Sequence, residues 1–530
     1  MTIADYLADQ LFIIGIRHIF GVPGGASIPW IEAFRNRGIE FVLTTGEAAA
    51  GVMADVSYRL TGIPGVCHAT FGPGATNIST GTGGAFLDRS SVIVLTSEMD
   101  DLMIRRTTQM NINHQELFKP LTKATFRLKP ENTVEILATA IKICREEYPG
   151  PVHIGLPADI AEIDIPFLPV IPPDIAPHTG SNNTEKIISL LENSRRPLIA
   201  AGLTARRLEI QPYLMSFLDK YNIPVVLTPM AKGIISEHHP SYAGVLFHAL
   251  SDCIEDLCNE ADLIIGIGYD PVEYNYESWI PPVPLLHFDT KETDMPQSVN
   301  VLQYAGQPVE WFNILGNLNA GALISEQTLI NGIRDEMSSV FEGFTNHFGP
   351  VAALKILMEE LPADTIITAD VGSHLHLAGQ YWETGSRGNF IISNGWSGMG
   401  FGIPSVIAAA IAKPFSRSVC ITGDGGFLMS AGEIMTARRY NLPIIVVVLS
   451  DGELNLIKLK QAWKDIKSCG TNLYYGELFG SDIFLGVKVL KADSPETMRK
   501  SVNTALLLKE PVIIDAIIDP DDYKWLVVKR

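Results

Sequence analysis

Residues 419–458 read VCITGDGGFLMSAGEIMTARRYNLPIIVVVLSDGELNLIK. An apolar run enters Gly423-Asp424-Gly425-Gly426, a helix is predicted from about Ser430, and a second apolar run, 444–449, ends in Ser450-Asp451-Gly452-Glu453. Runs of this length and β-branched content are buried strands, and a helix between them makes a parallel pair. In a doubly wound sheet both turns then emerge at the carboxyl edge, where ligands bind. Glycines let the backbone approach a diphosphate closely, and amides at a helix start favour anions. Asp424 and Asp451 offer two hard oxygens from neighbouring strand ends, which suits a divalent cation shared with phosphate oxygens. GDG alone is more often an ordinary turn with a solvated aspartate; the two turns together, at this separation, favour the metal-bridged diphosphate.

The same alternation of short strands and amphipathic stretches runs outward from there. Further strands are predicted at 39–43, 65–69, 91–95, 151–155, 197–201, 224–227, 263–267, 365–369, 418–422 and 512–517. The fold class is α/β, with parallel sheets covered by helices on both faces. The proline-rich stretch 163–180 reads as a linker, and a second join falls near 325–348. Three doubly wound domains follow, at 1–165, 182–325 and 345–530. The first and third share a plan, a strand ending in a Gly-rich turn (FGPGATN, ITGDGG) that opens a helix, which hints at duplication.

Of the 530 residues, 59 are acidic and 40 basic, for a formal charge of −19. That balance, without a basic stripe, argues against nucleic acid and against an anionic membrane surface as partners. No membrane-spanning run or leader is read, so the expectation is a cytoplasmic protein handling small molecules. The cysteines (Cys67, Cys144, Cys253, Cys258, Cys420, Cys469) are scattered and read as reduced, buried thiols.

GDGG followed by SDGELNLIK resembles the diphosphate signature of thiamine-diphosphate-dependent enzymes. IFGVPGGASIPWIEAF, TTGEAAAGVMADVSYRLTG, FGPGATN, ITADVGSHLHLAGQYW and IISNGWSGMGFGIPSVIAAAIAKP are similar to segments of the acetolactate synthase group, and IIGIGYDPVEY with LLHFDT to its FAD-free catabolic members. The resemblance covers roughly residues 1–520. It implies pyrimidine-binding, central and diphosphate-binding domains, with thiamine diphosphate and Mg2+ as cofactors.

It also implies roles. Glu47, at the start of a small apolar helix that would keep it desolvated, matches the glutamate that holds the cofactor's aminopyrimidine in its reactive form. Met399 matches the bulky wedge that bends the cofactor. Pro73 and Asn77 belong to the facing turn; Gly372, Ser373 and His374 match diphosphate contacts, and Ser397 lends its carbonyl. Gly423, Asp424, Gly425, Gly426, Asp451, Leu454, Asn455, Leu456 and Ile457 complete the cofactor set, with Asp424, Asp451 and the Glu453 carbonyl as metal ligands. Val22, Gly24, Gly25, Gln115 and Ile457 are the expected substrate contacts. In the loop MNINHQELFKPLTK, Gln115, Gln109 and His114 compete for the position of a catalytic glutamine, and His68 and His376 read as structural.

The chain departs from the pattern in places. Asp451 replaces the usual asparagine ligand. Ala201-Gly202-Leu203 and Tyr269-Asp270-Pro271 stand where flavin-dependent relatives carry a triple glycine and an arginine, so no FAD is expected. The first domain lacks the His-His pair of dedicated decarboxylases, and Ile457 takes the approximate place of their proton-donating glutamate. An apolar wall there favours carboligation: decarboxylation of a 2-keto acid such as pyruvate, then transfer of the acyl unit to a second carbonyl, giving 2-acetolactate. A decarboxylase, or a cofactor-binding paralogue without turnover, are the alternatives. The expected assembly is a homodimer as minimum and a homotetramer.

Overall fold

Every one of the eleven apolar runs forms a strand. The computed structural model describes residues 1–166, 183–246, 250–274, 279–295, 300–342, 347–385, 390–474 and 476–525. Most of the expected linker, and the domain limits at 182, 345 and 530, lie outside the described residues.

The first sheet contains β1 (His18–Gly21), β2 (Glu40–Leu43), β3 (Gly65–Ala69), β4 (Val92–Glu98), β5 (Ala124–Arg127) and β6 (Val152–Pro157), in the order β2-β1-β3-β4-β6-β5. The second contains β7 (Pro197–Ala201), β8 (Val225–Leu227), β9 (Tyr242–Val245), β10 (Leu263–Ile267), β11 (Leu285–Asp289) and β12 (Val301–Ala305), in the order β12-β11-β10-β7-β8-β9. The third contains β13 (Ile366–Ala369), β14 (Phe390–Ile392), β15 (Ser418–Gly423), β16 (Ile445–Ser450), β17 (Ile483–Phe484), β18 (Val487–Ala492) and β19 (Val512–Ile517), in the order β14-β13-β15-β16-β19-β18-β17. All described strand pairs are parallel except the short β17–β18 pair. Without β17, the third sheet repeats the strand order of the first, which gives the suspected duplication a topological basis.

The helix after GDGG starts earlier than the sequence suggested, at Asp424 rather than near Ser430. It runs Asp424–Ser430, tightens to a 3-10 turn at Ala431–Glu433 and continues as Ile434–Arg439. Gly423 caps it with extended backbone, and Asp424 places a carboxylate among the free amides of the first turn. Gln327–Glu342, inside the expected second join, is a helix whose Ile330 and Ile333 pack with Ile254 and Leu257 of the central domain.

The first and third domains share one core. Ala50, Met53 and Ala54 of the helix Glu47–Thr61 are buried with Ile403, Val406 and Ile407 of the helix Gly402–Ala412. On its other side Glu47–Thr61 crosses Pro73–Leu87 at Gly51 and Gly81, where a Cβ on either glycine would come within 2.8 Å of the other's Cα. That crossing fixes Glu47 relative to the turn that opens Pro73–Leu87. Of the cysteines, Cys469 is exposed, contrary to expectation, and the other five are buried; all six are free.

Candidate active site

The first cluster lies at the carboxyl edge of the first sheet. Glu47 is the first residue of its helix, and its Oε2 accepts a 3.1 Å hydrogen bond from Asn77 Nδ2. A Cβ on Gly74 would stand 3.4 Å from Glu47 Oε1, and one on Gly24 would collide with Thr70. Gly24, Thr70, Gly74, Asn77 and Glu47 thus form one tight patch in which backbone replaces side chains. Gly25 faces open space. Glu47 is only half-buried in the single chain, because its helix turns Ala49 and Ala50 into the core and leaves the first residue at the rim. The small apolar helix start therefore does not by itself desolvate it.

Gln115 is not brought against Glu47 by any hydrogen bond. Its amide donates to Glu98 Oε1 (2.7 Å) and to the Phe126 carbonyl (3.1 Å), and Glu98 also meets the Arg127 guanidinium at 2.9 Å. His114 is buried, and burial lowers its ring to about 4. Its Nε2 accepts from the Gly72 amide, so Nδ1 carries the proton toward Thr96 Oγ1, which in turn faces His153 Nε2 at 2.7 Å. Ligand atoms of Glu98, His114 and His153 lie within 4.8 Å of one another. Arg127 already pairs with Glu98, and Thr96 Oγ1 bridges one nitrogen of each ring, leaving His153 Nδ1 without a partner; through Gly72 N and Gln115 the cluster braces the Gly72 turn and the Gln115 helix. Gln109 is exposed; His68 is buried on Ser27 Oγ, in keeping with a structural role.

The second cluster lies at the carboxyl ends of β13, β15 and β16. Asp424 Oδ1 accepts from Gly425 N, and its Oδ2 accepts from the amides of Asp451 (3.1 Å) and Gly452 (2.6 Å) and from Tyr474 Oη (3.2 Å). Burial pushes the Asp424 carboxyl up, and these donors oppose it. Burial and the charge of Asp424 raise Asp451 to about 7. Two carboxylates held this close, without a basic side chain bonded to either among the described residues, form a donor set that a divalent cation fits. The Glu453 side chain is committed elsewhere, to Thr471 Oγ1 (2.7 Å) and Lys458 Nζ (3.2 Å). Its carbonyl stays out of the pairing with 471–474, whose ladder bonds pass through Gly452 and Leu454.

Beside these acids is a cradle for an anion. Ser373 Oγ and His374 Nε2 are buried and lack a hydrogen-bond partner, an arrangement that costs free energy unless a ligand supplies one. Cβ atoms on Gly372 and Gly423 would come within 2.7 and 3.2 Å of the His374 ring. A Cβ on Gly425 would stand 2.8 Å from Leu454 Cδ2 and 3.0 Å from Met399 Cε, so the Met399 side chain lies over GDGG. Ser397, two residues earlier, holds left-handed backbone (φ +51°) with its hydroxyl bonded to the Asn394 carbonyl. That conformation is uncommon for a residue with a side chain and concentrates at functional sites. Asn455 and Leu456 lie on the helix Asn455–Trp463, and Ile457 beside them is exposed.

Several residues that hold this site escaped the sequence reading. Buried Asp370, raised to about 6 by burial, accepts from the amides of Val371 and Gly400 and from Thr422 Oγ1, tying the Met399 loop to GDGG. Asp88 of the first domain accepts from Gly395 N, and Arg59, bonded to Asp55 and Asp88, donates to the Ile392 carbonyl. Their signal was slight: acids and a lone arginine inside otherwise apolar helical or strand stretches.

The central domain's second sheet has the order of a dinucleotide-binding fold, with its switch point between β7 and β10. The crevice there is filled from within. Gly202 packs on the backbone of Gly268 and Tyr269, and buried Glu273 accepts from Leu203 N and Met230 N, both at 3.0 Å.

Comparison with known proteins agrees with this architecture. Family models described as thiamine pyrophosphate enzyme N-terminal TPP binding domain, central domain and C-terminal TPP binding domain match residues 1–117, 184–309 and 370–516. The chain is 32% identical to a probable acetolactate synthase large subunit of Methanocaldococcus jannaschii, over 98% of this chain and 92% of the relative. It is 30% identical to the acetolactate synthase isozyme 2 large subunit of Escherichia coli, over 86% and 84%. Against the acetolactate synthase of Bacillus subtilis the identity is 25%, over 98% and 93%. The chain belongs to the thiamine pyrophosphate enzymes and groups among them with the acetolactate synthases.

Proposed function

We propose that this chain is a thiamine-diphosphate- and Mg2+-dependent carboligase that converts two molecules of pyruvate to 2-acetolactate and CO2. The observation that carries the reading is the pair Asp424 and Asp451, held by backbone amides at adjacent strand ends beside the unpartnered Ser373 and His374. When bound, thiamine diphosphate supplies the nucleophilic carbon on which a 2-keto acid loses CO2. The protein supplies the rest. Asp424, Asp451 and the Glu453 carbonyl hold the metal; Gly372, Ser373, His374, Gly423, Gly425 and Gly426 take the diphosphate; Met399 and Ser397 set the cofactor's bend; Glu47, oriented by Asn77, holds the aminopyrimidine. Gln115, Val22, Gly24, Gly25 and the apolar Ile457 border the substrate, and the absence of an acid at 457 favours attack on a second keto acid over protonation.

The resemblance implies a cofactor held between the first domain of one chain and the third domain of another, which supports a homodimer as the minimum and a homotetramer as its natural extension. Glu273 in the crevice of the second sheet supports a flavin-free enzyme. No helix of the described residues is long and apolar enough to cross a membrane, in keeping with a cytoplasmic enzyme.

The test mixes purified protein with thiamine diphosphate, Mg2+ and pyruvate, and follows acetoin after acid treatment beside free acetaldehyde. Acetoin that forms only after acidification, and is lost in Glu47→Gln, is the expected result. Acetaldehyde alone would move the protein to the decarboxylases.

A further inference from the structure

Glu433 is buried in the 3-10 turn of the run that begins at Asp424, far in sequence from Glu47. Its Oε1 accepts from both Thr45 N (2.9 Å) and Gly46 N (2.8 Å), the two amides that immediately precede Glu47. Its Oε2 accepts from Thr436 Oγ1 at 2.7 Å. The neighbouring backbone joins in: Thr45 Oγ1 donates to the Gly432 carbonyl, Leu43 N to Tyr440 Oη, and Arg439 to the Leu43 carbonyl. The segment 43–46 is thus gripped along its length by residues 432–440 of the third domain.

The helix that follows cannot cap itself, because its N-cap is Gly46, which has no side chain to offer. Carboxylate-to-amide bonds are short and strong, and two of them on adjacent amides fix both the position and the direction of the chain entering the helix. Glu47 is the next residue, so any shift at Gly46 is carried directly to its carboxyl. We propose that Glu433 is a positioning residue for Glu47: a carboxylate of the third domain that holds the two amides leading into the first domain's helix and so sets the catalytic glutamate. The proposal rests on the reading of Glu47 as the group that activates the cofactor. What Glu433 contributes is acceptor geometry, not a proton, and an amide side chain that keeps Oε1 in place preserves it.

The experiment compares the full-length wild type with Glu433→Ala, Glu433→Gln and Glu433→Asp. Hydrogen–deuterium exchange by mass spectrometry on cofactor-free protein reads the segment 43–50, and exchange of the cofactor's C2 proton, followed by NMR with Mg2+ present, reads activation. Glu433→Ala is expected to raise exchange in 43–50 at least tenfold and slow C2 exchange at least tenfold. Glu433→Gln should stay within about twofold of wild type in both, and Glu433→Asp, which withdraws the carboxylate by one methylene, should follow alanine even if the alanine variant does not fold. Wild-type behaviour of Glu433→Asp and Glu433→Ala, or a glutamine variant as impaired as alanine, would overturn the proposal. Glu47→Gln separates the two levels: wild-type C2 exchange in that variant overturns the role of Glu47, and the segment's amide exchange then decides the clamp alone.

Discussion

Arg59→Ala is expected to be among the most damaging single changes away from the reacting groups. The Arg59 guanidinium spans Asp55 (Nε to Oδ1 2.8 Å, Nη2 to Oδ2 2.7 Å) and Asp88 (Nη2 to Oδ2 2.7 Å), and its Nη1 donates to the Ile392 carbonyl at 2.6 Å. The two carboxyl groups are almost wholly enclosed, with side-chain exposures of 3% and 1%. Removing one partner of a buried ion pair costs roughly 3–5 kcal/mol, because the remaining charge is left in a medium that cannot solvate it. Here one cation serves two acids, so the upper end of that range applies. For a unit of about 150–250 residues each kcal/mol moves Tm by about 2–4 °C, which gives a fall of roughly 10–20 °C. Thermal unfolding of the cofactor-free protein at pH 7 measures it. Adding Asp55→Asn to Arg59→Ala removes one stranded charge and should recover at least 2 °C. Asp88 also holds Gly395, four residues before Met399, so cofactor affinity should weaken several-fold in both variants. A Tm within 2 °C of wild type, or no recovery in the double variant, would refute the argument that charge burial dominates at this junction.

Gly425→Ala should fold, since the new Cβ meets only the flexible ends of Leu454 and Met399, but displacing the wedge should lower cofactor affinity at least tenfold in a tryptophan-quenching titration. Asp370→Asn tests a buried acid by pH. Its folded value of about 6 lies above the unfolded 3.8, so its stabilising protonated form is complete below pH 3.8 and is lost as pH rises through 6. The cost reaches ~3 kcal/mol at neutral pH. Asparagine keeps the acceptor for Val371 and Gly400, so the variant's Tm should gain on wild type between pH 4 and 7; a constant difference contradicts this. Asp451→Asn retains the acceptor for Glu453 N and removes a negative charge beside Asp424, so thiamine diphosphate binding should hold or tighten; lost binding sinks that view.

The periodic parts of the fold were open to sequence reading, and the long-range parts were not. All eleven apolar runs are strands because burial on both faces demands continuous β-branched residues, a signal local to each run. Strands such as β1, β5 and β14 are three or four residues long and carry His18, Arg127 or few apolar positions, so pattern alone does not separate them from loops. The helix start at Asp424 was misplaced because four consecutive small or acidic residues look like a turn, whereas Gly425 and Gly426 are helical so that Met399, Leu454 and Asp370 can close over them. Asp424, Asp451, Met399 and Asn77 were singled out from motif context. Asp88, Asp370, Glu433 and Tyr474 were not, since what defines each is a partner more than 29 residues away or, for Asp88, as near as Arg59 but on another helix.

Those residues share one design. Asp88 holds Gly395, Asp370 holds Val371 and Gly400, Asp424 holds Gly425, Asp451 and Gly452, Glu433 holds Thr45 and Gly46, and Glu273 holds Leu203 and Met230; in each case a buried carboxylate accepts from backbone amides. Burial alone would expel the charge, and the amides, whose desolvation is already required by the loop's position, offset that cost. The consequence is positional: an amide is present whatever side chain the loop carries, so the clamp fixes where Glu47 and Met399 stand without constraining the residues between them. Two of the clamps also cross domains in opposite senses, Asp88 from the first to the third and Glu433 from the third to the first. A rigid-body slip between the first and third domains would have to break both at once, and their shared core around Met53 and Val406 would open with them.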